Sequence, residues 1–303
     1  MTSAMMVEAC RREDGGYTQR LHEMPLWKTK VNRNDPVYVA NYKEMQGLVR
    51  ELEQRIEESQ WPGPENAVKK HLKEGCMLAR DRVELVLDDD SPFLELCPLA
   101  GWGQEGCTSG ASYIAGIGLV CGVECVVAAS VPTIKGGSFN ETTVQKMART
   151  ATIAMENNLP MVGLVQSAGA DLRAQFKVFH SGGGIFRDIA YLSKKGIPVT
   201  TVVFGSSTAG GAYQPGMSDY TVLVKGQAKV YLGGPPLVKM ATGEIVDHEE
   251  LGGADMHSKV SGVSDFLAND EQDALKIARR VVAGLNYKKK TQVPFASRCD
   301  GVV

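Results

Sequence analysis

The sequence predicts an α/β fold of repeated ββα units behind a group of N-terminal helices. Two observations carry this. From Ser109 onward, short β-type runs alternate with helical segments and glycine-rich turns. The runs at residues 161–165 and 199–204 are continuously apolar, as strands buried on both faces are, and each leads into a turn of small residues.

The elements follow in order. Residues 1–36 are polar, mixed in charge and without period, and read as a flexible arm. Met45, Leu48, Val49, Leu52 and Ile56 then recur at helical spacing, and Trp61-Pro62-Gly63-Pro64 ends that helix. Two shorter helices are expected near residues 67–78 and 80–87. Residues 114–120 and 123–129 form a hairpin closed at Cys121-Gly122. A helix over 143–157 stops near Asn158 and Pro160, and strand 161–165 runs into Ser167-Ala168-Gly169-Ala170. Helix 186–194 ends at Gly196-Ile197-Pro198, and strand 199–204 leads into Gly205-Ser206-Ser207-Thr208-Ala209-Gly210-Gly211. Strands at 221–224 and 228–232 and a helix over 270–285 complete the domain, residues 37–290. Residues 291–303 read as a disordered tail.

Composition sets limits. The chain has 303 residues, 43% hydrophobic and 22% charged, with a net charge of -2, so it has the profile of a globular chain without a polyanion footprint. No apolar stretch approaches the roughly 18 residues of a membrane span. The N-terminus lacks the apolar core of a signal peptide, and Glu8, Glu13 and Asp14 make it a poor transit peptide. The seven cysteines form no C-x-x-C pair and no metal-ligand spacing, so no metal site is expected and a reducing compartment is.

In open α/β sheets, ligands sit beyond the carboxyl ends of the strands, so the turns after the two apolar runs are the candidate site loops. Small residues at 168–170 let a ligand approach backbone N–H groups, and two such groups make an oxyanion hole. A tight turn with no ligand has the same composition. Lys135-Gly136-Gly137 can place a cation near a phosphate or thioester, or be a solvated turn. Gly182-Gly183-Gly184 reads as a flexible turn, and by itself is either a loop or a ligand-facing gap. No serine sits in a G-x-S-x-G elbow, and none of the five histidines is tied to a serine by motif; each reads as a surface residue. Gly101, Gly103 and Gly106 match G-x-G-x-x-G in form, but a β-type run follows where a dinucleotide fingerprint needs a helix.

Longer runs carry a resemblance. AKVYLGGPPLVKMATGEIVDHEELGGADMHSKVSGVSD (228–265), FGSSTAGGAYQPGMSDYTVLV (204–224), IKGGSFNETTVQKMART (134–150), GIGLVCGVECVVAAS (116–130) and SPFLEL (91–96) resemble the β subunits of biotin-dependent acyl-CoA carboxylases, methylcrotonyl-CoA carboxylase above all. The resemblance implies a crotonase-like (ClpP/crotonase) fold. It implies transfer of a carboxyl group from carboxybiotin, carried by a biotin carboxylase and carrier α subunit, to an acyl-CoA in a homo- or hetero-oligomer. It places the chain in the mitochondrial matrix of a eukaryote or the cytoplasm of a bacterium. The thioester oxygen would be held, as it becomes an enolate, by the N–H groups of Ala168 and Gly169. Gly210, Gly211 and Ala212 would admit the acyl-CoA to the backbone, with Lys135 and Gly136 on the rim.

This chain departs from the family in three ways. The aspartate and first glycine of the D-S-G-G-A turn are Gln166 and Ala168 here. A bulky aromatic of the methylcrotonyl enzymes falls near Gly182, which predicts a wider acyl pocket. The family's second, biotin-binding domain has no counterpart in the resemblance, so catalysis is expected only with a partner half. Two alternatives stand beside this reading. One is a non-catalytic acyl-CoA-binding or complex-capping subunit. The other is a hydratase or decarboxylase acting alone, with Asp171 as its carboxylate.

Overall fold

The computed structural model describes residues 29–171 and 175–288; the remainder of the expected arm and the tail lie outside them. The chain divides into two units, one of residues 1–51 and 291–303, the other of residues 52–290. In the first, helix α1 (Pro36–Ser59) begins where Asp35 Oδ1 accepts from Val37 N–H at 2.8 Å and proline occupies the first helical position. Met45, Leu48 and Val49 of the predicted stripe are exposed on it.

The second unit is a mixed sheet between two helical layers. Helices α2 (Glu65–Lys73) and α3 (Ala79–Val86) precede it. Strands β1 (Leu94–Glu95), β2 (Tyr113–Val120) and β3 (Val123–Ser130) pair antiparallel. Both hairpin residues have positive φ, 51° at Cys121 and 75° at Gly122, the conformation a tight two-residue turn demands. From β3 the sheet continues in parallel through β4 (Met161–Ser167), β5 (Val199–Thr208), β6 (Tyr220–Val224) and β8 (Phe266–Ala268). Strand β7 (Lys229–Tyr231) pairs with the far end of β5. The crotonase-like expectation of ββα units is met by β2–β3 followed by helix α4 (Glu141–Asn157), then by β4, helix α5 (Gln175–Lys194) and β5.

The period of two sorts the strand residues. Cys125, Val127 and Ala129 face α3 and helix α8 (Glu271–Gly284), which contributes Leu275, Ala278 and Val282. Val126 and Ala128 face the other way, toward α4 and α5. A capping box starts α4: Asn140 Oδ1 accepts from Thr143 N–H at 2.9 Å, and Thr143 Oγ1 accepts from Asn140 N–H at 3.2 Å. Asn158, in the left-handed region at φ 50°, ends it.

Three expectations are corrected. Helix α5 begins at Gln175, so Gly182-Gly183-Gly184 lie within a helix and form no turn. The buried residues Val178, Ile189 and Leu192 keep helical spacing through the glycines, and their packing outweighs a cost of about 1 kcal/mol per glycine. His71 and His257 are buried, not superficial: His71 Nε2 pairs with the Met77 carbonyl and His257 Nε2 with that of Val230. Strand β8 and the short helices α6 (Tyr213–Met217) and α7 (Pro235–Thr242) were not anticipated.

Candidate active site

Three loops meet beyond the carboxyl ends of β4 and β5: residues 135–137, residues 167–170, and the turn Ala209–Ala212. Hydrogen bonds join the first two. Ala168 N–H donates to the Gly136 carbonyl at 2.9 Å, and Ser167 Oγ donates to that of Gly137 at 2.7 Å. Glycine is required at Gly137, where φ is 68° and a Cβ would lie 2.3 Å from the Gln166 carbonyl oxygen. Gly169 ties the second loop to the third: at φ 86°, a Cβ there would come within 2.8 Å of the Thr208 carbonyl oxygen.

Strand β5 bulges beside this junction. Val165 pairs with Val203 and Ser167 with Ser207, so Phe204, Gly205 and Ser206 stand opposite Gln166 alone. The Gln166 side chain lies across Gly205, where a Cβ would be 2.6 Å from Nε2.

Two cavities flank the 167–170 loop. The first, of about 590 Å³, is lined by Lys70, Lys135, Gly136, Gln166, Ala168 and Ser206. Lys70 and Lys135 line it as cations and Glu74 as a carboxylate; Lys135 Nζ donates to the Gly106 carbonyl at 3.1 Å, and Lys70 lies 3.9 Å from Glu74. The second, of about 260 Å³, lies between α4 and α5, with Val144, Met147, Phe179, Gly182, Gly210 and Gly211 in its wall. Its surroundings are apolar, and the Phe186 and Tyr213 rings, centroids 4.3 Å apart, close one side. A Cβ at Gly182 or Gly183 would meet nothing within 4 Å. One cavity therefore suits a polar, anionic group and the other an apolar chain.

The structure thus brings the sequence-derived residues together but divides them. Lys135, Gly136 and Ala168 stand at the polar cavity; Gly182, Gly210 and Gly211 at the apolar one; Ala212 is buried behind the turn. Gly169 is buried in the loop, and its N–H donates to Ser167 Oγ at 3.1 Å. Both N–H groups expected to hold an oxyanion, those of Ala168 and Gly169, are thus engaged within the protein. Asp171 donates its N–H to the Phe139 carbonyl at 2.9 Å; it lines neither cavity itself, though Phe139 and its neighbour Ala170 stand in the wall of the apolar one. Gly101, Gly103 and Gly106 all have positive φ and belong to turns that lead into β2 without a helix of the dinucleotide kind.

Sequence reasoning missed the support beneath the site. Arg82 of α3 is 1% exposed; its Nε and Nη2 donate to Glu271 at 2.8 and 2.7 Å, and its Nη1 donates to Gln166 Oε1 at 2.9 Å. Its guanidinium lies 4.2 Å from the Phe204 ring centroid. No local pattern announces such a pairing, because its members are 84 and 189 residues apart. Among the described residues, no cluster of three or more His, Cys, Asp or Glu side chains could hold a metal, and no helix is long and apolar enough to cross a membrane.

Fold and site together define an α/β protein of the crotonase-like class, with small-residue loops at the strand ends dividing a polar from an apolar cavity. The chain belongs to the carboxyl transferase domain family, whose profile matches residues 70–302. It is 48% identical over 269 residues to a probable biotin-dependent acyl-coenzyme A carboxylase β2 subunit of Mycobacterium tuberculosis, covering 89% of this chain and 51% of that one. It is 47% identical to the mitochondrial methylcrotonoyl-CoA carboxylase β chain of Dictyostelium discoideum, covering 86% of this chain and 45% of the relative. Among solved structures, the β subunit of P. aeruginosa geranyl-CoA carboxylase superposes with a TM-score of 0.76 at 43% identity, over 86% of this chain and 48% of that one. The chain therefore spans about half the length of these relatives.

Proposed function

We propose that this chain is the acyl-CoA-binding half of a carboxyltransferase, which takes a carboxyl group from carboxybiotin carried by a partner and places it on an acyl-CoA. The observation that carries the reading is the pairing of the two cavities across one small-residue loop in a carboxyl transferase fold. The coenzyme would lie along the lysine-bearing cavity, the acyl chain in the apolar one, and the thioester at the loop between them. Removing a proton from the acyl chain leaves charge on the thioester oxygen, and fixed donors there stabilise it by several kcal/mol, roughly.

The biotin carrier supplies the carboxyl group, and we assign no residue of this chain to it. The ureido ring needs donors of its own, which the part of the relatives that this chain does not span would supply. A second reading, acyl-CoA binding without turnover, is favoured by the internal engagement of the Ala168 and Gly169 N–H groups. For the carboxyltransferase, the matrix of a eukaryote or the cytoplasm of a bacterium is the proposed site of action.

Calorimetric titration with CoA esters of increasing acyl length tests the proposal. Micromolar affinity that depends on the acyl group is expected; absence of binding to every ester would sink it. We also propose that the open helix face at Gly182 sets chain length, so that affinity rises with acyl chains longer than methylcrotonyl. Gly182→Phe should then weaken long esters by at least about tenfold, as a few methylenes at ~0.8 kcal/mol each lose their cavity, while free CoA binds as before. A wild-type affinity indifferent to acyl length would remove Gly182 from this role.

A further inference from the structure

This inference rests on the reading above, that acyl-CoA binds across the two cavities, and concerns how its carbonyl is held. A guanidinium has donors and no acceptor, so Arg82 Nη1, at 2.9 Å, fixes the sense of the Gln166 amide: Oε1 faces Arg82, and Nε2 faces away from it. Arg82 itself cannot turn, because two hydrogen bonds to Glu271 and the Phe204 ring hold its plane. Gln166 lies on the wall of the polar cavity beside Ser167 and Ala168. Among the described residues, its Nε2 has no hydrogen-bond partner, and it is not one of the sealed, unsatisfied atoms. The main-chain donors next to it are engaged, Ala168 N–H by Gly136 and Gly169 N–H by Ser167. The bulge of β5 and the bare Gly205 give the amide its place.

We infer that Gln166 is a ligand-binding residue whose Nε2 donates a hydrogen bond to a carbonyl oxygen of the bound acyl-CoA, with Arg82 as the positioning residue that orients the amide. A carboxylate at this position would have no proton to offer, so the donor depends on the amide. The oxygen is that of the thioester or of a pantetheine amide, which share the same chemistry.

Gln166→Glu keeps the side-chain length and an acceptor for Arg82 while replacing the donor by an acceptor. Wild type and variant are titrated with free CoA and octanoyl-CoA. The variant is expected to bind the ester at least about tenfold more weakly, since a carbonyl then meets an acceptor. A loss confined to the ester places the bonded oxygen on the thioester; a loss with both ligands places it on the pantetheine arm. Equal affinities of wild type and variant for both ligands overturn the inference and leave the acyl-CoA reading intact, whereas a wild type that binds neither overturns both. In ¹⁵N-labelled wild type, the Gln166 side-chain NH₂ signals should shift on saturation with the ester. Signals that stay in place overturn the inference even where the variant fails to fold.

Discussion

Replacing Glu271 by alanine is expected to cost about 3–5 kcal/mol, the penalty for leaving a buried guanidinium without its counter-charge. Arg82 and Glu271 are 1% and 3% exposed, so water cannot substitute for the lost carboxylate. Glu271 also accepts from Met77 N–H at 3.1 Å, so its removal orphans a main-chain donor too. Against a total stability of about 5–15 kcal/mol, this lowers the denaturation midpoint sharply. Urea unfolding followed by circular dichroism measures it, and a loss under about 1 kcal/mol would mean that the pair is not closed in solution. Replacing both partners by methionine should recover much of the loss, because a buried ion pair is worth little over an apolar pair of similar volume. Ligand affinity should not recover with it, since nothing then orients Gln166.

Gly137→Ala is the second large effect. The new methyl group would lie 2.3 Å from the Gln166 carbonyl oxygen, main chain that cannot step aside without moving β4. The residue is also held at φ 68°, which adds about 1–2 kcal/mol for any side chain. Together with about 1–3 kcal/mol of overpacking, the variant should lose several kcal/mol and separate the 135–137 loop from Ser167 and Ala168. Gly136→Ala is the control: its φ is 65°, but its Cβ would touch the Ala168 methyl at 3.4 Å, an ordinary contact. Thermal melts should therefore place Gly137→Ala well below Gly136→Ala, and titration with an acyl-CoA should show binding lost in the former. Equal melting points would mean that the loop adapts to the methyl group freely.

The sheet was legible in the sequence because each central strand is a continuous apolar run bounded by small residues. The runs at 161–165 and 199–204 reappear within β4 and β5, and the hairpin turns at Cys121-Gly122 as expected. Strand β8 escaped because three residues, one of them the exposed Phe266, present no period. The glycine triplet was misjudged because local propensity argues for a turn, while the apolar spacing on either side argues for a helix, and packing decides. The site loops were legible from their small residues. The division of those residues between two cavities was not, for it depends on which way consecutive residues of one loop face. Nor could the engagement of the Ala168 and Gly169 N–H groups be read, since one acceptor is a serine side chain and the other lies 32 positions upstream in Gly136.

The ion pair beneath the site also orders events in time. Arg82 leaves the ribosome 189 residues ahead of Glu271, an interval of roughly ten to forty seconds at ordinary rates of synthesis. Throughout it the guanidinium lacks its counter-charge, so burying α3 on its face of the nascent sheet is unfavourable, while α4 and α5 cover only the opposite face. One half of the core is thus free to form as the chain emerges. The half that supports Gln166 closes after the helix Glu271–Gly284 is made.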